Sequence, residues 1–177
     1  SRLMTDKVNH AVVVSWTRIS DNVLPPRIKA SSNYLNSRYA SQEAQRHGYD
    51  SAILLNHVGK VAEGPGACLM LVRNGTLITP GITSGILESI TRETIIEIAR
   101  DLLGLKVVER EVDRTELYVA DEVFFCGTGA EITPVASVDR FTFGDGKMGP
   151  ITTRLMKLYN DIVRGIDPHC PEWRTQV

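Results

Sequence analysis

Apolar residues along the chain follow two periodicities, which together predict a domain of strands and helices. Short β-branched and aliphatic runs, several of them bounded by turn residues, are typical of strands. Such runs occupy residues 10–17, 51–55, 60–63, 68–73, 76–79, 106–111, 122–126 and 131–138. Asn74-Gly75 separates two of these runs, and this dipeptide is a strong hairpin signal. The runs therefore predict a mixed, largely antiparallel sheet.

Three longer segments predict helices that flank this sheet. Residues 91–103 repeat apolar side chains at helical spacing, and residues 33–47 have a helix-forming composition; both segments end before a glycine. A third helix is expected over residues 150–165, with a proline in its first turn. Thr115 could cap a single additional turn, and the tail after Asp167 is expected to be loosely ordered. The fold class that follows is one α/β (mixed α+β) domain.

The overall charge and composition exclude several classes of protein. The 177 residues contain 20 Lys+Arg and 21 Asp+Glu, which gives a formal net charge of -1. A balanced charge argues against nucleic acid as a partner, because such binders carry a basic excess. At 42% hydrophobic residues the chain is typical of a globular domain. No apolar stretch reaches the length that crosses a bilayer, so we expect no membrane span.

The cysteines and histidines bear on compartment and metal content. Cys68, Cys126 and Cys170 are odd in number and widely scattered, which favours a reducing, cytoplasmic location over a disulfide scaffold. Neither these residues nor the four histidines have the spacing of metal ligands. The sequence therefore predicts no metal site.

The beginning of the chain has neither an initiator methionine nor the pattern of a signal peptide. It opens SRLMTD and enters the β-branched run at residues 11–14 within a few positions. We therefore expect a fragment of a longer protein.

Two charged residues have both an ordinary and a chemical interpretation. Lys29 follows a proline pair and precedes a predicted helix; it is either a solvated surface lysine or an amine held in a pocket for Schiff-base chemistry. Glu63 ends a predicted strand before Gly64-Pro65-Gly66. It is either a strand-end carboxylate facing water or an acceptor beside a cationic ring nitrogen.

Two turns of small or hydroxyl-bearing residues are candidate phosphate sites. Ser89-Ile90-Thr91 opens the predicted helix over residues 91–103, where a hydroxyl is an ordinary helix cap but where free amides also bind phosphate. Gly127-Thr128-Gly129 follows a predicted strand, and tight turns need such residues in any case. A lysine, a carboxylate and two such turns together fit a phosphorylated aromatic cofactor that carries a carbonyl.

Five segments, in order, resemble the branched-chain amino acid aminotransferases, which are fold-type IV pyridoxal-phosphate enzymes. The resemblance extends from about Val12 to Gly165. The segments are IKASSNYL from Ile28, VAEGPG from Val61, LESITR from Leu87, ADEVFFCGTGAEITPV from Ala120 and GPIT from Gly149. The resemblance implies a mixed, largely antiparallel, β-barrel-like sheet flanked by helices, and pyridoxal 5'-phosphate as the cofactor.

The resemblance assigns four residues to the cofactor ring. Lys29 matches the lysine that bonds covalently to the cofactor and later moves the substrate proton. Tyr34 matches the tyrosine that hydrogen-bonds the phenolic oxygen, and Leu87 matches a residue packed on the ring. Glu63 matches the carboxylate paired with the pyridine nitrogen, which keeps the ring protonated and electron-withdrawing.

It assigns five more residues to the phosphate and the substrate. Ile90 and Thr91 match the start of the phosphate-binding helix, and Thr128 matches a second phosphate donor. Gly129 and Ala130 match a turn whose amides face the substrate carboxylate.

The sequence departs from the family pattern in three respects. The family commonly has alanine at the position of Gly129 and Pro-Gly at the positions of Glu88-Ser89. Family members also carry a smaller amino-terminal domain, which supplies a phosphate-binding arginine and much of the substrate pocket. We therefore expect residues 1–177 to be the large, cofactor-binding domain alone.

The function implied is transamination between branched-chain L-amino acids (leucine, isoleucine and valine) and 2-oxoglutarate, in a homodimer or larger homo-oligomer. The partners are thus amino acids and 2-oxo acids. The alternatives are a D-amino acid transaminase or an aminodeoxychorismate lyase of the same fold, or a fragment that is inert because half of its active site is missing.

Overall fold

A computed structural model describes residues 8–174, which form one mixed sheet with helices packed against it. The strands are β1 (Asn9–Thr17), β2 (Ser51–Leu55), β3 (Cys68–Arg73), β4 (Thr76–Pro80), β5 (Val107–Arg110), β6 (Glu122–Gly127), β7 (Glu131–Val138) and β8 (Phe141–Thr142). The α-helices are α1 (Tyr34–Arg46), α2 (Ile90–Glu97) and α3 (Pro150–Val163). Short 3-10 turns occupy Ser31–Asn33, Ile82–Ser84, Arg114–Val119 and Pro171–Trp173.

The sheet combines parallel and antiparallel pairs. Its strand order is β2-β1-β7-β6-β3-β4-β5, with β8 added to β7. The pairs β3–β4, β3–β6, β6–β7 and β7–β8 are antiparallel. The pairs β1–β2, β1–β7 and β4–β5 are parallel. The predicted mixed, mostly antiparallel sheet with flanking helices is thus confirmed.

Residues 60–63 join the two ends of this sheet. The Leu54 amide donates to the Glu63 carbonyl at 2.9 Å, and the Ala62 amide donates to the Leu54 carbonyl at 2.9 Å. On its other side the Val61 amide donates to the carbonyl of Val112, just beyond β5, at 2.9 Å. The sequence predicts a strand here, but the segment pairs only through isolated bridges. These bridges close the sheet into a barrel-like form and fix the backbone of Glu63.

Alternate residues of the central strands enter different cores. On β3, Leu69 and Leu71 point into the barrel with Phe125, whereas Met70 packs with Phe124 against α2 and α3. This alternation follows from the two-residue period of a strand. Burying a large apolar side chain on either face stabilises the fold by about 1.5–3 kcal/mol. A third cluster packs α1 onto β1 and β2.

A buried carboxylate fixes α3 to the sheet. Glu122, on β6, accepts hydrogen bonds from the Ile151 amide (3.0 Å), the Thr152 amide (2.7 Å) and the Thr152 hydroxyl (2.6 Å). Free amides and a partial positive charge at a helix N-terminus favour such an anion. A Cβ on Gly149 would overlap the Glu122 carboxyl carbon, so the chain passes where only glycine fits.

The structure differs from the sequence predictions at three further places. The helix expected over residues 91–103 ends as α2 at Glu97 and continues as a π-helical turn over Ile98–Leu102. This wider turn keeps Ile98 and its neighbours packed in the core between the sheet and helices α2 and α3, the helix-side core. The N-cap of the 3-10 turn Arg114–Val119 is Asp113 rather than Thr115. The tail forms a 3-10 turn, and Cys170 packs on the helix-side core.

Within residues 8–174, none of the helices has both the length and the apolar character that a membrane crossing requires.

Candidate active site

A cavity of about 220 Å³ lies where the loop before α1, the segment after residue 63, the turn before α2 and the β6–β7 turn meet. Six of the nine residues that the sequence assigns to a site line it: Lys29, Tyr34, Glu63, Leu87, Thr128 and Gly129. Ile90, Thr91 and Ala130 lie outside its walls. Residues separated by 100 positions in the sequence therefore share one cavity.

Asn33 organises the loop that carries Lys29. Its buried side-chain amide donates to the carbonyls of Pro25 and Ile28, each at 2.9 Å. The Ala30 amide also donates to the Ile28 carbonyl at 2.8 Å. These bonds satisfy backbone groups that Pro25-Pro26 prevents from entering a helix. The loop thus presents the exposed side chain of Lys29 at the cavity wall.

Glu63 is the buried acid of the cavity, with 4% of its surface exposed. Its Oε1 lies 2.7 Å from an Arg18 guanidinium nitrogen, and its Oε2 accepts a hydrogen bond from the Leu87 amide at 3.1 Å. Burial raises the pKa of the Glu63 carboxyl to about 7, against the opposing effects of Arg18 and the Leu87 N–H. A neighbouring cation in the cavity would therefore decide its charge at neutral pH.

Arg18 is a residue of this cavity that the sequence did not reveal. It lies immediately after β1, is 6% exposed and lines the cavity beside Glu63. No local pattern joins two residues so far apart, and only the closure of the sheet brings them together. An arginine at the end of a buried strand was the one available signal.

The N-terminus of α2 reaches the cavity through Ser89, and Ile90 and Thr91 follow it in the first turn of the helix. Ser89 lines the cavity and caps the helix, with its hydroxyl accepting from the Arg92 amide at 3.4 Å. The Ile90 side chain is 86% exposed, and the Thr91 hydroxyl lies against the hydroxyl of Tyr159. What Ile90 and Thr91 offer a ligand is therefore their first-turn amides, which precede the first intrahelical bonds.

The β6–β7 turn brings Thr128 and Gly129 to the cavity. Both residues are exposed, so the Thr128 hydroxyl is available to a ligand. Ala130 instead lines an adjoining cavity of about 580 Å³, and its carbonyl accepts from the Thr133 hydroxyl at 2.8 Å. Gly66 lines both cavities, so the two spaces are neighbours.

Two cysteine thiols also line the cavity, and burial keeps both of them protonated. Cys68 and Cys126 are register partners on β3 and β6 and are buried. Burial raises the pKa of the Cys68 thiol to about 12, and that of the Cys126 thiol well above its usual range. Because the thiolate is the reactive form, neither residue acts as a nucleophile at neutral pH.

The donor set suits pyridoxal 5'-phosphate. Lys29 offers an exposed amine, and the buried carboxylate of Glu63 suits a cationic ring nitrogen. The amides at the start of α2 and the Thr128 hydroxyl suit a phosphate. No group of three or more His, Cys, Asp or Glu residues among positions 8–174 could hold a metal ion.

A sequence model of the family described as amino-transferase class IV matches residues 2–138. Among curated relatives, a probable branched-chain-amino-acid aminotransferase of Aquifex aeolicus is 46% identical over 175 residues, which cover 99% of this chain and 56% of the relative. The branched-chain-amino-acid aminotransferase of Escherichia coli K12 is 44% identical over 167 residues, covering 94% of this chain and 54% of the relative. The chain thus spans about half the length of these relatives.

Solved structures that match this chain are also branched-chain aminotransferases. The branched-chain amino acid aminotransferase of Thermobaculum terrenum, in its PLP form, matches with a TM-score of 0.97 and 59% identity, over 99% of this chain and 57% of that one. The branched-chain aminotransferase of the archaeon Thermoproteus uzoniensis, solved with norvaline, matches with a TM-score of 0.92 and 45% identity. The match covers 97% of this chain and 57% of that one. The chain belongs to the class IV aminotransferase family, and its sheet and helices have the fold-type IV architecture.

Proposed function

We propose that this chain is the large, cofactor-binding domain of a pyridoxal-5'-phosphate-dependent transaminase of branched-chain L-amino acids, with 2-oxoglutarate as the amino acceptor. The observation that carries the proposal is that an exposed amine, Lys29, and a buried carboxylate, Glu63, line one cavity. The names of the relatives support the substrate class. Leucine, isoleucine and valine are the substrates proposed.

When bound, pyridoxal 5'-phosphate supplies an aldehyde that condenses with amines and a ring that withdraws electrons from the carbon next to them. Lys29 Nζ would hold the cofactor until the substrate amine displaces it. The freed Nζ would then take the proton from the substrate Cα and deliver it elsewhere on the reacting group. An exposed loop lysine has the freedom that these two tasks require.

Glu63 would act at the opposite end of the ring. Its carboxylate would accept a hydrogen bond from the protonated ring nitrogen and keep that proton in place. Leu87 would pack on the ring face, and the Tyr34 hydroxyl would donate to the phenolic oxygen. Both residues line the cavity with Glu63.

The remaining residues would bind the two anionic groups. The amides of Ile90 and Thr91 at the start of α2, with the Thr128 hydroxyl, would hold the phosphate. The amides of Gly129 and Ala130 would face the substrate carboxylate. The position of this turn between the two cavities supports the assignment, because a substrate extending from the cofactor would pass it.

We also propose a separate small domain, a homodimeric or larger assembly and a cytoplasmic location. The chain covers 56% of the Aquifex aeolicus relative, so a further domain is consistent with the remaining length. A stacked aromatic pair, Trp16 and Tyr39, has ring centroids 5.1 Å apart, and both residues are exposed. Such surfaces are typical of protein contacts.

Reductive labelling tests the proposed cofactor site. The chain would be incubated with pyridoxal 5'-phosphate, reduced with borohydride and mapped by peptide mass spectrometry. We expect a pyridoxyl group on the peptide that contains Lys29, and its loss in Lys29→Ala without unfolding. Lys147→Ala, which removes an exposed lysine outside the cavity, is the matched control and should keep the label. A label on another lysine, or none, would contradict the proposal.

A substrate panel tests the reaction itself. The chain and the full-length Thermobaculum terrenum relative would be assayed with both enantiomers of leucine and alanine. Turnover of L-leucine supports the proposal, whereas turnover of D-alanine alone identifies a D-amino acid transaminase. Lyase activity on aminodeoxychorismate would overturn the proposed reaction. Labelling at Lys29 without turnover by the chain, beside an active relative, identifies an inert fragment.

A further inference from the structure

Arg18 is a buried cation at the proposed cofactor site that the mechanism above does not use. It follows β1, 45 positions before Glu63, and only 6% of its surface is exposed. One guanidinium nitrogen lies 2.7 Å from Glu63 Oε1, and Nε donates to the Gly85 carbonyl at 3.2 Å. Both residues line the cavity.

The turn over residues 85–87 contacts both members of this ion pair. Its Gly85 carbonyl accepts from Arg18, and its Leu87 amide donates to Glu63 Oε2 at 3.1 Å. Gly85 has φ +83, and a Cβ there would lie 3.8 Å from Arg18 Cγ, so the turn passes directly over the arginine. Each carboxylate oxygen is thus bound by a donor from a different segment, which fixes the plane of the carboxylate.

The charge of Glu63 depends on this arrangement. Burial favours the neutral acid, and one backbone amide is a weak counterweight. A neutral Glu63 could not stabilise a cationic ring nitrogen, whereas an ionised and oriented carboxylate can. Arg18 is the cation in contact with Glu63 in the described part of the chain.

We propose that Arg18 is a positioning residue for the cofactor site: it lowers the proton affinity of the buried Glu63 carboxylate and orients it before the ring arrives. The inference rests on the proposed function and deepens it, since Arg18 would act on the ring nitrogen through Glu63. Arginine suits the position because its guanidinium remains charged when buried and can bind Glu63 and Gly85 at once.

Infrared titration of the chain without cofactor tests the proposal. The carbonyl band of protonated Glu63, identified by its loss in Glu63→Gln, is followed against pH in wild type, Arg18→Lys and Arg18→Gln. Arg18→Lys keeps the positive charge of the side chain, whereas Arg18→Gln keeps a hydrogen-bond donor and removes the charge. We expect the midpoint to rise by at least one pH unit, a tenfold change in proton affinity, in Arg18→Gln and to stay near that of the wild type in Arg18→Lys.

A second buried arginine provides the matched control. Arg92 is 3% exposed and pairs with Glu109 at 2.6 Å, outside the cavity. Arg92→Gln should lower the free energy of unfolding without moving the Glu63 midpoint. An unchanged midpoint in Arg18→Gln, or an equal shift in Arg92→Gln, would overturn the proposal. Near-ultraviolet circular dichroism verifies that each variant is folded.

Borohydride labelling of Lys29 on the same samples separates the two proposals. Labelling of the wild type together with an unmoved midpoint in Arg18→Gln overturns the role of Arg18 and leaves the proposed function standing. Absence of labelling in the wild type overturns the proposed function and, with it, the role of Arg18 toward a ring. Labelling together with the expected midpoint shift supports both.

Discussion

Glu63 and Glu122 are both buried carboxylates, but they have different surroundings. Glu122 accepts three hydrogen bonds from the first turn of α3, all from neutral donors. Glu63 is bound by one arginine and one amide and borders an open cavity. A buried carboxylate whose oxygens are hydrogen-bonded entirely by neighbouring backbone and side-chain groups stabilises the fold. A buried carboxylate that borders a cavity can also bind a ligand.

The largest expected effect is the loss of chemistry in Glu63→Gln. With pyridoxal 5'-phosphate present, exchange of the leucine Cα hydrogen for solvent deuterium should slow by about a hundred- to a thousandfold, because the amide cannot hold a proton on the ring. Nuclear magnetic resonance measures this exchange. Glu122→Gln, the same change in the other carboxylate, should alter the rate by no more than a few fold. Similar exchange rates in Glu63→Gln and the wild type would show that Glu63, like Glu122, has no part in the chemistry.

The next effect is the loss of stability in Glu122→Ala. Two backbone amides and a hydroxyl at the start of α3 would lose a charged acceptor, which should lower the free energy of unfolding by about 3 kcal/mol. Urea denaturation measures this change. Labelling of Lys29 should persist in the folded variant. A loss below about 0.5 kcal/mol would show that solvent replaces the carboxylate.

The pH dependence of stability should separate the two carboxylates further. Burial raises the pKa of Glu63 to about 7 in the folded chain, so the folded state holds this proton more tightly than the unfolded state does. The stabilisation that results is present at low pH and is lost as the pH rises toward 7. Between pH 5.5 and 7.5 the wild type should lose about 2 kcal/mol relative to Glu63→Gln, as measured by urea denaturation at each pH. A flat difference would contradict the raised pKa.

The smallest effect concerns two glycines. Gly149→Ala would bring a methyl group against the Glu122 carboxylate and should cost about 1–2 kcal/mol of stability. At Gly129 no atom beyond the two neighbouring residues lies within 4 Å of the place that a Cβ would take, so Gly129→Ala should change stability by less than about 0.5 kcal/mol. Thermal denaturation of the pair provides the comparison. Equal losses would indicate that the approach of Gly149 to Glu122 is not a constraint.

Local patterns predicted much of the sheet because its strongest signals are local. Asn74-Gly75 lies between β3 and β4, as the hairpin signal requires, and both residues have positive φ. Residues 60–63 also have the composition of a strand, but their pairing depends on segments distant in the sequence. The π-helical turn at Ile98–Leu102 arises from packing that helical periodicity alone does not encode.

The site was predictable to the extent that its residues lie in recognisable segments. Lys29 and Glu63 were predicted in this way, and the structure brings both to one cavity. Arg18 was not found, because its partner lies 45 positions away and no periodicity connects them. The amides at the start of α2 were also predicted in this way, and the structure adds that the Ile90 side chain is exposed, so the first-turn amides are what this segment would offer a phosphate.

The segment that closes the barrel ends in the acid of the proposed site. Leu54 binds the Glu63 backbone from one edge of the sheet, and Val112 binds Val61 from the other. We call these hydrogen bonds of residues 61–63 to Leu54 and Val112 the seam of the barrel. Any fluctuation that breaks them would also move the Glu63 carboxylate away from its ligand. Occupancy of the cavity should therefore slow hydrogen exchange at the Val61 and Leu54 amides, which would make the seam a reporter of ligand binding.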